Sequence, residues 1–554
     1  MDLGRPIQWA AADESQLWRY QLHYSGYLLD LIAADPDSWT EVSELMTAWI
    51  SACRLGETAD PWHPFVVSER IVNWLFAIQL GSPSPDIVGK DVWLSLAQQA
   101  TFVERNLEYD VGGNHLLKNL KALCISACVW QGATADAWRE RYLRVFDREL
   151  ASQLLTDGAH YERSPMYHAL VLADVIEVVF ALRLGGFTVP RSLADSLRAM
   201  AAYLPTVTHP DGQIALFNDS VHGEAPPTSE LLAAAAAALD EPYETALSVR
   251  HALLAAAVES PCQFRGSSVD RTATEDSGII CVTTLGGRGV ILADVGCACP
   301  DDLPAHAHAD FFSFELSFDK RRLIVDAGVG EYAAGAWREY YRSSRAHNTV
   351  TIDGFDQIEC WGSFRVARRA SVFDRHAIET VKLKGVTARH DGYRRLVDPV
   401  VVGRTIVSLD DRAWLVLDEL LADGVHDWES CLHAAPEAEI VLAGPDHALL
   451  STAEQRLTIA WFGVTEARTM RGQMSPRQGW YAPEFGRHLP VWTLAMTGRS
   501  SGASFSGYVI APHIGPESVS ISRNSDGISV RLGASHYDIR GEGPALTADV
   551  EVLH

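Results

Sequence analysis

The chain has 554 residues, more than the roughly 250–300 at which single hydrophobic cores stop growing, so at least two domains are expected. With 47% hydrophobic and 21% charged residues, its composition excludes a disordered or collagen-like chain. The formal net charge of -25 argues against nucleic acid as a partner, and any anionic substrate must meet a local basic cleft.

The first nine residues, Met1 to Trp9, carry no basic segment followed by an apolar core. No signal peptide is expected, and the expected location is cytoplasmic or periplasmic in a bacterium. No run of about 18 apolar residues is read, so no membrane span is expected. Nine cysteines, an odd number without a Cys-x-x-Cys array, suggest buried free thiols rather than a disulfide framework.

In chain order, residues 1 to about 255 read as helical. Leu116, Leu117, Leu120 and Leu123 recur at helical spacing, and Leu170 to Leu184 and Leu231 to Leu239 are further apolar or alanine-rich helices. Short turns such as Asp157-Gly158 and Gly185-Gly186 separate them, which suggests a bundle or an α/α toroid. Trp9, Trp18, Trp39, Trp49, Trp62, Trp74 and Trp93 read as core fillers before sugar platforms. The pattern changes near Ser260-Pro261 and Gly266-Ser-Ser. Strand-like runs follow over Gly278 to Leu285, Gly289 to Val295, Phe312 to Phe318, Arg322 to Asp326, Asn348 to Ile352, Val400 to Leu409, Trp414 to Leu420, Ile440 to Leu442 and Ser518 to Leu532. Asp319-Lys320 reads as a hairpin turn between two of them. The expected organisation is therefore a helical domain, 1–260, and an antiparallel β-sandwich domain, 261–554.

Three stretches gather chemistry. In Pro304 to Asp310, His306, His308 and Asp310 alternate, so an extended backbone would point all three one way; a polar loop with surface histidines is the other reading. His308, Asp326 and His347 form a donor set suited to Zn²⁺, or to Mn²⁺ with further oxygens, unless these strand-end residues only bond to loops. In the helical half, Asn114 reads as a helix cap with His115 pointing into a cleft. Residues 157–168 pack Tyr161, Glu162, Arg163, Tyr167 and His168 between apolar helices, with Ser164-Pro165 as a helix start.

Together, Asn114 to Ala122, Asp157 to His168, Asp211 to Ser220, His306 to Asp310 and Tyr341 to Thr349 resemble the heparinase II/III-like family of polysaccharide lyases, which includes related alginate lyases. The resemblance runs in order from about residue 60 to 440 and implies an N-terminal α/α toroid, an incomplete barrel, followed by a C-terminal antiparallel β-sandwich. It implies β-elimination on uronic-acid polysaccharides, giving 4,5-unsaturated products. The carboxylate beside C5 must be neutralised as the proton leaves, the role of an oxyanion hole. By resemblance Asn114 serves there, assisted by His115 or Arg163; Tyr167 is the acid and in one geometry also the base, with Tyr161 as its rival, and His306 is the alternative base. A tyrosine acting as base at neutral pH needs positive charge beside it. Relatives hold a structural zinc at the positions of His308, Asp326 and His347.

The expected partner is an anionic polysaccharide or oligosaccharide: a glycosaminoglycan such as heparan sulfate, heparosan, hyaluronan or chondroitin, with alginate as the alternative. No membrane partner is expected, and homo-oligomers are compatible with the reading. Arg342 and Arg345 suit bidentate carboxylate or sulfate pairing, and Trp361, His390, Tyr161 and His168 are further candidate sugar contacts. A glycoside hydrolase would need two carboxylates flanking the bond, which Glu162, Asp219 and Asp310 do not obviously supply. A non-catalytic carbohydrate-binding protein on the same fold is the third reading.

Overall fold

The computed structural model describes residues 7–57, 59–82, 84–265, 276–525, 527–541 and 545–552. The Gly266-Ser-Ser break lies outside them. The chain divides into two units, and the division does not fall at 260/261. One unit comprises Met1–Leu154, Ala169–Ala202 and Ser229–Thr272, and the other comprises Leu155–His168, Tyr203–Thr228 and Ala273–His554. The fold is an α/α toroid in the N-terminal part with an antiparallel β-sandwich in the C-terminal part, as the sequence pattern implies.

In the helical unit, proline opens Pro64–Gly81, where its missing N–H costs nothing. Val66, Val67, Ile71, Trp74, Leu75 and Ile78 bury this helix on more than one face, and Gly113–Val129 is buried in the same way around Leu116, Leu117, Leu120 and Leu123. Trp49 and Trp74 meet edge to face at 5.5 Å, and Arg70 lies 3.9 Å over Trp49, so these tryptophans are core. The cap of Gly113–Val129 is Gly112 at φ 69°, a backbone that favours glycine, and Asn114 sits inside the first turn. Among the described residues one helix, Pro165–Leu184, is long and apolar enough to cross a membrane, which departs from the sequence expectation. Because 89% of its apolar window is buried inside the protein, it is a core helix.

In the β-rich unit an eight-stranded antiparallel sheet is covered on both faces. Alternation along Ala413–Leu421 shows how. Trp414 and Val416 face a core shared with Ile291, Phe314, Leu316, Leu432 and Leu494, whereas Leu415 and Leu417 face a second core with Val530, Tyr537 and Ile539. The first core carries two four-stranded sheets; one runs through Ile279–Thr284, Gly289–Asp294, Phe314–Phe318 and Arg321–Ile324. Asp319 and Lys320 take φ 50° and 64° between its last two strands, the twist a two-residue hairpin requires. All nine cysteines are free, but Cys281 and Cys297 are exposed rather than buried.

One cross-strand pair ties this scaffold to the loops above it. Arg404 makes a bidentate bond to Asp418 at 2.6 and 2.9 Å and donates to the carbonyls of Phe312 and Asn348 at 3.0 and 2.6 Å. Those two residues end the loop segments that carry His306, His308 and His347.

Candidate active site and metal-binding group

Residues 304–313 form turns rather than a strand, and the strand begins at Phe314. The extended geometry that would aim His306, His308 and Asp310 alike is therefore absent. Phe312, a bulky residue at φ 65°, turns the chain into the strand, and its N–H donates to Asp294 at 2.8 Å. Arg342 braces the loop: its Nε donates to the Ala307 carbonyl at 3.0 Å, and its own carbonyl accepts the Ala309 N–H at 3.0 Å.

The segment Asn218-Asp219-Ser220 meets this loop at every turn. Asn218 Oδ1 accepts the His308 N–H at 3.0 Å, and the Asp219 N–H donates to the His306 carbonyl at 3.2 Å. Asp219 Oδ2 lies 3.0 Å from His306 Nδ1, and Oδ1 lies 2.9 Å from His308 Nε2. Arg338 closes on the same carboxylate through both terminal nitrogens, NH2 at 2.9 Å. Burial alone would raise the Asp219 pKa, but the Arg338 charge and the bonds from both histidines hold it well below the carboxylate range.

On one side of Asp219, the Tyr167 ring stacks on His306 with centroids 3.9 Å apart, and its hydroxyl lies 3.0 Å from the Tyr332 hydroxyl. Tyr167 is placed by the expected helix start: Ser164 Oγ accepts the Tyr167 N–H at 3.2 Å, and the helix opens at Pro165. His306 Nε2 faces the buried Glu162 carboxylate at 3.5 Å. Burial, the Asp219 charge and Glu162 raise the Tyr167 pKa, while the Tyr332 bond and Arg338 oppose them without prevailing.

On the other side, one ligand atom each from His308, Asp310 and His347 lies within 4.8 Å of the others, all three residues buried. His308 Nδ1 and His347 Nε2 have no hydrogen-bond partner among the described residues. His347 Nδ1 is held by Asp326 at 2.9 Å, and Asp326 is held in turn by Ser313 Oγ at 3.1 Å and through its N–H by Glu315 at 2.9 Å. Burial pushes His308 down to about 3 against the pull of Asp219. Burial would lower His347 too, but Asp326 raises it to about 9. Two orphaned imidazole nitrogens beside a carboxylate fit a divalent cation, with Asp326 orienting a ligand. Asp310 thus stands in the group where Asp326 was expected.

The sequence matches "Heparinase II/III N-terminus" over residues 1–239 and "Heparinase II/III-like, C-terminal" over residues 268–523. The chain belongs to the heparinase II/III-like family. A heparin-sulfate lyase of Pedobacter heparinus is 22% identical over 384 residues, 64% of this chain and 55% of the relative. FtsZ-localized protein C of Caulobacter vibrioides is 25% identical over 343 residues, 62% of this chain and 53% of the relative. The chain thus spans about half the length of these curated relatives. The crystal structure of a heparinase III superposes with a TM-score of 0.74 at 17% identity, covering 100% of this chain and 86% of the other, which shows the fold.

Within this heparinase II/III-like chain several expected site residues have other occupations. Arg163, at φ 61°, donates to the carbonyls of Asp276 and Ser277 at 3.0 and 2.7 Å, so its guanidinium is directed to that backbone. His168 is buried, accepts the His160 N–H at 3.2 Å and packs on Tyr203. His390 is buried against Phe311, Phe312 and Tyr393. Neither histidine is available to a sugar. Arg342 is buried in loop bonds, and Arg345 lines a separate cavity of about 460 Å³ with Trp428 and Glu429. Trp361 is 51% exposed under Arg365, and Tyr161 packs its ring edge to face with His160. Asn114 and His115 belong to the helical unit, where His115 Nδ1 lies 2.9 Å from Glu108 and its ring packs on Phe65. Sequence reading does not single out Tyr332 or the role of Asp219. The signal available was the Phe217-Asn-Asp-Ser220 stretch, in which an acid stands between two helix-capping residues with no helix to cap.

Proposed function

We propose that this protein is a polysaccharide lyase that cleaves uronic-acid-containing polysaccharides, of the glycosaminoglycan class, by β-elimination. The observation that carries the reading is the Tyr167–His306 stack, with the Tyr167 hydroxyl on Tyr332 and His306 on the Asp219–Arg338 pair. An elimination needs one group to take the C5 proton and another to protonate the departing 4-oxygen. Tyr167 suits the second role, because burial and two neighbouring carboxylates keep its proton on. Arg338, the cation that pulls the Tyr167 pKa down, is paired with Asp219 and does not offset the burial and carboxylates that raise it, which favours the phenol as acid over base. His306 Nε2 is the group left to accept the C5 proton.

His308, Asp310 and His347 would hold a divalent cation, and the donor set favours Zn²⁺, with Mn²⁺ as the alternative. Such an ion would supply structural bracing of the His306 loop, and the protein's own side chains carry the proton transfers. The glycosaminoglycan assignment draws on the relatives named heparin-sulfate lyase.

The test is incubation with heparan sulfate, heparosan, hyaluronan, chondroitin and alginate, following the ultraviolet absorbance of the unsaturated uronate. Tyr167→Phe is expected to lower the rate by about 10²–10⁴-fold while the protein stays folded. New reducing ends without absorbance would establish hydrolysis instead. Binding without cleavage would favour a non-catalytic carbohydrate-binding or assembly protein, a reading consistent with the relative named for its localization with FtsZ.

A further inference from the structure

Asp219 has one carboxylate and three partners, and each of its oxygens serves one histidine and one Arg338 nitrogen. We infer that Asp219 is a positioning residue that dictates which ring nitrogen of His306 and of His308 carries the proton, and so couples the metal-binding group to the proton-transfer histidine. The part concerning His306 rests on the lyase reading above; the part concerning His308 does not.

An ionised carboxylate only accepts hydrogen bonds. Facing a bidentate guanidinium in a buried site, Asp219 can bond His306 Nδ1 and His308 Nε2 only if both nitrogens bear hydrogen. The tautomers follow. His306 is left with Nε2, the nitrogen on the Glu162 side, as the position that exchanges a proton. His308 is left with a bare Nδ1, the atom that has no partner among the described residues and belongs to the group with Asp310 and His347. A metal ligand must present such a lone pair, and the hydrogen bond made by the opposite nitrogen decides which one is presented. The two histidines stand two residues apart on a turned loop and do opposite jobs, yet take their orientation from one side chain.

Asparagine at this position keeps the size but offers one acceptor oxygen and one donor nitrogen. One of the two imidazoles must then face an N–H and shift its own proton to the far side. If His308 shifts, Nδ1 is blocked for metal; if His306 shifts, Nε2 is blocked as a base.

The experiment uses the full-length protein with ¹⁵N-labelled histidine, read by long-range ¹H–¹⁵N correlation, with His306→Gln and His308→Gln variants to assign the signals. In the unsubstituted protein the expected pattern is hydrogen on His306 Nδ1 and on His308 Nε2, with Zn²⁺ binding perturbing His308 Nδ1. In Asp219→Asn at least one pattern reverses. Zn²⁺ affinity, measured by competition with a chromophoric chelator, should fall about 10–100-fold, and kcat should fall while KM holds. Hydrogen on His308 Nδ1 in the metal-free unsubstituted protein, or Zn²⁺ affinity unchanged in Asp219→Asn, would overturn the inference. If Asp219→Asn does not fold, the spectra of the unsubstituted protein decide it alone. Tautomers and metal affinity are read without turnover, so failure of the lyase reading would show as intact tautomers and metal binding with no unsaturated product.

Discussion

Each unit buries a cluster of charged and polar side chains, and the two clusters are built to opposite ends. In the helical unit Lys118, Lys121 and Arg250 are set against Glu69, Asp174 and Glu177, with Lys121 bonded to Asp174 at 2.6 Å and Glu177 at 2.8 Å, and Arg250 in an ion pair with Glu177 at 2.6 Å. Three cations meet three anions there, and although single atoms such as Asp174 Oδ2 lack a hydrogen bond, this cluster holds no metal-ligand group among the described residues. In the β-rich unit Asp219 is as tightly held as any of these, but beyond it two imidazole nitrogens without a hydrogen-bond partner among the described residues converge with Asp310. A buried network that closes on itself specifies structure. One that leaves converging donors calls for a ligand.

The largest effect expected is on the closed network. Lys121→Met leaves Asp174 and Glu177 short of a buried counter-charge and should destabilise the protein by about 3–5 kcal/mol in denaturant melts, without altering Zn²⁺ affinity. A loss under about 1 kcal/mol would break the contrast, since it would make the network dispensable. Next comes the open cluster. Zn²⁺ at about a hundred times its Kd should add about 2.7 kcal/mol to unfolding stability in the natural sequence and nothing in His347→Ala. Equal stabilisation of both proteins would place the ion elsewhere.

Acid tests the helical unit by another route. Burial, with help from a neighbouring arginine, lowers His23 and His251 from 6.5 to about 4. The unfolded chain therefore binds more protons than the folded one between pH 6.5 and 4, so stability is full above 6.5 and declines as pH falls through that window. His251→Gln should reduce the slope; a flat profile in the natural sequence would show that these rings are not buried neutral. The smallest effect is expected for Trp361→Ala, whose ring is half exposed with Arg365 over it: a change within about 0.5 kcal/mol.

What could be read from the sequence was what depends on near neighbours. Helical spacing of Leu116, Leu117, Leu120 and Leu123, alternation through Val400 to Leu409, and the Asp319-Lys320 turn all act within a few residues, and each element is present. His308 and His347 were legible as metal-binding candidates because imidazoles at the ends of apolar runs have few other uses. Which carboxylate joins them was not, because Asp310 is swung into place by a left-handed Phe312 that no local pattern requires. The arginines read toward substrate that have protein partners instead share one reason. Arg163 spends its guanidinium on carbonyls more than a hundred residues away, and Arg342 on the loop at Ala307, and such partners exist only after the chain has folded. Tyr332 stands alone in its stretch and gains meaning only from the Tyr167 hydroxyl opposite it.

The β-rich unit takes in Leu155–His168 and Tyr203–Thr228, two pieces of chain that precede its strands by many residues. Tyr167, Glu162 and Asp219 ride on those pieces, while His306, His308 and Arg338 come from the strand-rich part. The two halves are therefore not exchangeable cassettes. A ribosome delivers the tyrosine and the aspartate well before the histidines they contact, so this centre is assembled only when late chain is threaded onto early chain. A recombinant fragment cut between the two family segments would carry His306 and His308 without the carboxylate that orients them.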